Sequence, residues 1–214
     1  MRPKIYAVLI ADVMESRARK DLRALLGIKL DAVSRSHLRQ KLIQLPYSVT
    51  AGDEFQTVSR DLHSLPAVIL ELRTALRPLS LRIGVGFGGV SGRIQAPVNR
   101  LGGEAFQSAR RAIESIKAGN LFKFEVLTAF ASRHEQFNKT INLIYGLHDT
   151  LVLKITARQW QTIKEFLDRP TLERTARRLG VDDSTVSRNL KRGYYWQMAQ
   201  TVKVAGSLIQ RTFC

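Results

Sequence analysis

Strand-like apolar runs alternate with stretches of helical spacing over about the first 150 positions, and beyond them the spacing is helical throughout. Ile5 to Ala11 (IYAVLIA) is unbroken, the pattern of a strand buried on both faces, and Asp12 ends it. Leu22, Leu25, Leu26, Leu30, Val33 and Leu42 recur every three or four residues, which predicts one or two helices over 18–44, stopped by Pro46. Tyr47–Thr50 and Phe55–Val58 flank Ala51-Gly52-Asp53-Glu54 and read as a β-hairpin. Leu62, Leu65, Val68, Leu72, Ala75 and Leu76 mark a helix over 61–77. Leu79 to Phe87 (LSLRIGVGF) is a strand, with Gly88, Gly89 and Gly92 as a turn or bulge after it. A helix follows from Glu104 to Lys117, ended by Gly119-Asn120. Phe122–Leu127 reads as a further strand and 128–147 as a helix.

The order β-α-β-β-α-β-α-β predicts an α+β protein: a mostly antiparallel, ferredoxin-like sheet with helices on one side. After about residue 150 every segment reads as helix. The expected division is an α+β domain over 1–150 and a small all-α domain over 151–214. Within the latter, ARQWQTIKEFLD (157–168) forms one helix with Trp160, Ile163, Phe166 and Leu167 inward, and Pro170-Thr171 breaks it.

LERTARRLGVDDSTVSRNLKRG (172–193) then carries a helix-turn-helix pattern. Leu172, Ala176 and Leu179 share one face. Gly180 admits the left-handed backbone of a sharp turn. Asp182 is placed to cap the second helix, with Val186 and Leu190 inward. Ser184, Thr185, Ser187, Arg188 and Lys191 then face outward. A guanidinium grips a guanine edge with two hydrogen bonds, so Arg188 is the expected base reader. Arg174, Arg177, Arg178 and Arg192 are expected on phosphates. Asp182 and Asp183 oppose a close approach of DNA. A last helix, Tyr194 to Phe213, packs under the motif or pairs two chains.

Charge supports a polyanionic partner. The chain has 34 Lys and Arg against 18 Asp and Glu, a formal net charge of +16. The excess is spread out: residues 158–214 hold 11 basic and 5 acidic side chains, the rest lying upstream. No run of 18 apolar residues is present, so no membrane span or membrane partner is expected. The start, Met1-Arg2-Pro3-Lys4-Ile5, lacks a signal-peptide pattern. The single cysteine, Cys214, fits a reducing, cytoplasmic setting.

Two carboxylates mark the N-terminal part. Asp12 ends the first strand and Asp53 lies in the hairpin turn. In a ferredoxin-like sheet these elements are neighbours, so both can hold divalent ions such as Mg²⁺ or Mn²⁺, with Glu54 as a third ligand. Backbone N–H groups from Val13 to Ser16 are placed to cradle phosphates, and Arg17 to pair with them. His37, His63, His134 and His148 show no metal-ligand spacing. Neither a Walker A loop nor a Gly-x-Ser-x-Gly elbow is present.

This pattern resembles the palm of class III nucleotidyl cyclases and of GGDEF-type cyclases. RIGVGFGGV (Arg82 to Val90) looks like the cyclase strand before its dimer-side loop. GEAFQSARRAIE (Gly103 to Glu114) looks like the helix that carries an Asn for the ribose and an Arg for the transition-state charge. Those positions fall on Gln107 and Arg111. Gln in place of Asn departs from the cyclase pattern, and no base-selecting Lys/Asp pair can be assigned.

Over roughly residues 4–200 the chain resembles the SatD family, through ADVMESR (Ala11 to Arg17), AGDEFQ (Ala51 to Gln56), RIGVGFG (Arg82 to Gly88) and GGEAFQSARRAI (Gly102 to Ile113). The resemblance implies a nucleotidyl-cyclase-type module joined to a DNA-binding one. The expected function is transcriptional regulation by a homodimer that binds DNA and senses a nucleotide or metal-phosphate ligand. The rival expectations are a metal-dependent cyclase or nucleotidyltransferase with Arg111 as its catalytic residue, and a catalytically inert dimerisation scaffold.

Overall fold

The computed structural model describes residues 4–14, 22–95 and 97–214. Its elements run β1 (Tyr6–Val13), α1 (Leu22–Arg39), β2 (Ser48–Ala51), β3 (Glu54–Ser59), α2 (Leu65–Leu76), β4 (Leu81–Gly88), α3 (Glu104–Lys117), β5 (Thr128–Ala131) and α4 (Glu135–Val152). Four helices follow: α5 (Ala157–Asp168), α6 (Leu172–Leu179), α7 (Asp183–Arg192) and α8 (Tyr195–Phe213).

The five strands form one sheet in the order β2-β3-β1-β4-β5. The first three pairings are antiparallel, but β4 and β5 run parallel, so the sheet is mixed. The chain reaches β5 through α3, a crossover that returns it in the direction of β4. The expected strand over 122–127 lies instead at Thr128–Ala131, which takes over the start of the expected 128–147 helix. Pairing with Ile83–Gly86 decides this: a four-residue TAFA segment has little strand character of its own and gains it from its neighbour. The displaced aromatics Phe122 and Phe124 stack on each other at 4.9 Å and cover Gly146 of α4.

Helices cover both faces of the sheet, not one. Ala7, Leu9, Ala11 and Val13 point into the main core with residues of α1, α2, α4 and α8. Val8 and Ile10 point the other way, against Ala105, Ala109 and Ile113 of α3. Burial on both faces explains the unbroken apolar run of β1. The approach of α3 to β4 depends on glycine. A Cβ on Gly86 would lie 2.1 Å from the Ala109 nitrogen, and one on Gly84 2.5 Å from the Ile113 nitrogen.

A second core joins α5, α6 and α7 through Trp160, Ile163, Phe166, Ala176, Val186 and Leu190, with Met198 of α8 beneath. Local signals set these helices. Thr156 and Gln159 form a reciprocal capping box at α5. Thr171 accepts from the Arg174 N–H at α6, and Gly180 ends α6 at φ 64°. Two expectations need correction. Leu172 is exposed rather than on the inner face. Asp182 holds the N-cap position of α7, but its side chain makes no capping hydrogen bond.

The helical segment is not set apart from the sheet. Residue 150 falls inside α4, and Ala205 and Ile209 of α8 belong to the main core. Phe213 stacks on Phe87 of β4 at 4.4 Å. A buried polar knot ties α2, α4 and β5 together. Asp149 accepts from the Leu127 N–H at 2.7 Å and lies 3.9 Å from Arg73, which itself donates to the carbonyls of Leu81 and Leu127.

Candidate functional site

The C-terminal end of β1 and the start of β3 lie side by side, and residue 12 pairs in register with residue 54 on one side and residue 82 on the other. Strand alternation sends Asp12 and Glu54 to the face covered by α3. There α3 presents Arg110 and Lys117, seven residues apart and so on one side of the helix. Arg110 grips Glu54 with two parallel hydrogen bonds, Nη1 to Oε2 at 2.7 Å and Nη2 to Oε1 at 2.8 Å. Lys117 Nζ lies 2.8 Å from Asp12 Oδ2 and 3.9 Å from Glu54 Oε2. The Thr50 hydroxyl donates to Glu54 Oε1 at 3.2 Å. Two acids and two bases thus form a tetrad at one end of the sheet.

Its electrostatics follow from that geometry. Burial alone would raise the Glu54 pKa, but the Arg110 hydrogen bonds and charge, with Lys117 and Thr50, outweigh it and hold the carboxyl below the usual range. The bond to Glu54 raises Arg110 in turn, against its own desolvation. Asp12 is 6% exposed, and its Oδ1 is buried without a hydrogen-bond partner. That oxygen is the one uncommitted acceptor of the tetrad.

The structure brings together only some of the residues expected here. Asp53 sits in the hairpin turn, and its carbonyl accepts from the Val13 N–H at 3.3 Å. Val13 itself turns its side chain into the main core. Ser16 and Arg17 lie outside the described residues. Gln107 is exposed on α3. Arg111, also exposed, donates to Ser108 of its own helix at 3.1 Å, while its neighbour Arg110 reaches the carboxylates. Sequence reasoning misses Arg110 and Lys117. The signal for them is the spacing 110, 114, 117 beside the buried positions 109, 113 and 116 of α3. Among the described residues, no group of three or more His, Cys, Asp or Glu side chains is placed to hold a metal ion.

On α6 and α7, Arg174, Arg177, Arg178, Ser184, Ser187, Arg188, Lys191 and Arg192 are exposed and Thr185 is half-buried. Several are already engaged. Arg177 pairs with Glu173 at 2.7 Å, and Arg178 reaches across to Glu165 of α5 at 2.5 Å. Arg188 donates to Thr185 Oγ1 at 3.2 Å.

The fold is that of an α+β protein built on a mixed five-stranded sheet, and no helix among its described residues is long and apolar enough to cross a membrane. The chain belongs to the SatD family, whose family model matches residues 6–208. Solved structures with some similarity include a dimeric guanylyl cyclase domain of the RhoGC fusion protein from the aquatic fungus Blastocladiella emersonii. It is 15% identical over 52% of this chain and 74% of that one, with a TM-score of 0.39. The adenylyl cyclase CyaB from P. aeruginosa is 16% identical over 50% of this chain and 70% of that one, with a TM-score of 0.33. A regulator of polyketide synthase expression from Bifidobacterium adolescentis is 16% identical over 97% of this chain and 80% of that one, with a TM-score of 0.30. No curated protein matches the sequence.

Proposed function

We propose that this protein is a DNA-binding regulator that reads DNA with α6 and α7 as a homodimer, and that its sheet module binds a nucleotide or metal-phosphate ligand as the signal. The observation that carries the reading is the division of α6 and α7 into two faces. Ala176, Val186 and Leu190 are buried, while Arg174, Arg177, Arg188, Lys191 and Arg192 all face solvent around a left-handed turn at Gly180. A helix offered to a major groove needs such a rigid inner face and a cationic outer one. Arg178 contributes less than the sequence suggests, because reaching a phosphate means leaving Glu165.

The test is duplex binding against salt. With Arg174, Arg177, Lys191 and Arg192 of both protomers on phosphates, log K falls with a slope of about −7.2 against log[salt], or about 20,000-fold between 50 and 200 mM. Absent or salt-insensitive binding to every duplex contradicts the proposal.

A second reading, a metal-dependent nucleotidyl cyclase or transferase, is favoured by the buried, unpartnered Asp12 Oδ1. As arranged, the tetrad does not fit a two-ion centre, since Lys117 and Arg110 already neutralise both carboxylates. Mg²⁺ or Mn²⁺ on Asp12, Asp53 and Glu54 requires those cations to give way. Pyrophosphate release from an NTP that disappears in Asp53→Asn supports this reading, and no release by the wild type removes it.

A further inference from the structure

At the opposite end of the sheet, where β1 begins and β3 and β4 end, lies a cavity of about 580 Å³. It is within the range of small-molecule sites. Its cations come from four separate parts of the chain: Lys4 before β1, Arg60 after β3, Arg133 before α4 and Arg211 in α8. No carboxylate among the described residues forms an ion pair with any of the four. Glu104 is the one acidic side chain in the lining, and it is turned toward the Gly89 N–H at 3.4 Å.

Two further features suit a ligand that is part anion and part ring. The lining reaches His134, the N-cap residue of the 18-residue helix α4, which makes no side-chain capping bond, while Glu135 of the first turn is not part of it. The positive end of the helix dipole favours an anion there. Beside it, Phe213 lines the cavity as part of an aromatic cluster, with Phe87 stacked on it at 4.4 Å and Phe137 and His134 at right angles to it at 4.9 and 5.4 Å.

The geometry points to a binding site for a phosphorylated compound of nucleotide size, its phosphates on Arg60, Arg133 and Arg211 and its ring against Phe213. The site is separate from the Asp12–Glu54 tetrad by the length of β1, about 20 Å for six residues. It needs neither a metal nor DNA. Because Arg211 and Phe213 end the helix that passes beneath α7, occupancy also fixes the far end of α8 against the sheet.

The test is calorimetric titration of the full chain with ATP in EDTA and 150 mM salt, with tripolyphosphate as a second probe. The expected result is one saturable site, with ATP several-fold tighter than tripolyphosphate. Arg133→Ala/Arg211→Ala lowers the affinity at least tenfold. Asp12→Asn leaves it unchanged, as does Arg23→Ala/Arg39→Ala, which removes the same charge from the exposed side of α1. Both cavity arginines are exposed, and a melting scan confirms that the variant folds. No saturable binding, or an equal loss in the Arg23→Ala/Arg39→Ala control, overturns the site. Loss in Asp12→Asn alone moves the ligand to the tetrad, and equal affinity for the two probes overturns the ring contact.

Discussion

Arg110→Ala removes the two-pronged grip on Glu54 and leaves that carboxylate, whose side chain is 11% exposed, with Thr50 at 3.2 Å and Lys117 at 3.9 Å. A surface ion pair contributes about 1 kcal/mol or less. Breaking a buried one costs about 3–5 kcal/mol because a charge is stranded. This pair is intermediate: the acid is buried, the base is 44% exposed, and Lys117 remains as a partial replacement. The expected loss is about 2 kcal/mol, or about 6 °C in Tm for a chain of this size. The pH dependence checks the cause. The folded pKa of Glu54 lies below its unfolded value, so its contribution is complete above the unfolded pKa, near 4.3, and is lost as pH falls through the folded one. The gap between wild type and variant, measured by urea unfolding, is therefore full at pH 7 and shrinks below pH 4. A gap under about 0.5 kcal/mol at pH 7, or one that persists unchanged in acid, refutes the reasoning.

Other outcomes follow from the same geometry. Gly86→Ala drives a Cβ into the backbone of α3 and is expected to cost about 3 kcal/mol or prevent folding, whereas Gly27→Ala, in α1 with open space around it, gains about 0.5–1 kcal/mol; chemical denaturation separates them. Asp149→Ala strands Arg73 and the Leu127 N–H inside the protein and is expected to lower stability by about 3–5 kcal/mol, read by the same unfolding curves. In DNA binding, Arg188→Ala is expected to lose sequence preference, while Arg177→Ala weakens all duplexes alike; anisotropy against matched and scrambled duplexes tells these apart.

Helices with a strong local code are legible in the sequence. The expected 157–168 and 104–117 match α5 and α3 to the residue, because a capping threonine or a glycine turn marks their ends and one face is steadily apolar. β1 and the hairpin are legible for similar reasons. β5 is not, since four small or aromatic residues become a strand only when β4 offers its edge. The second helical layer is hidden for a related reason: Gly84 and Gly86 show room for a helix only once α3 is seen against them. In the candidate site, the acids can be placed because a strand end and a hairpin turn are sequence features. Their bases cannot, because Arg110 and Lys117 look like any solvated helix charges until the fold turns that side of α3 toward Asp12 and Glu54.

The most direct test of the account is fluorescence anisotropy of the full chain on a labelled duplex, titrated from 50 to 200 mM salt, for wild type and for Arg174→Ala/Arg177→Ala/Lys191→Ala. The account predicts that wild-type affinity falls about 20,000-fold over that range and that the variant binds weakly with a slope of about −1.8. Wild-type binding that ignores salt, or a variant that binds with the wild-type slope, contradicts it.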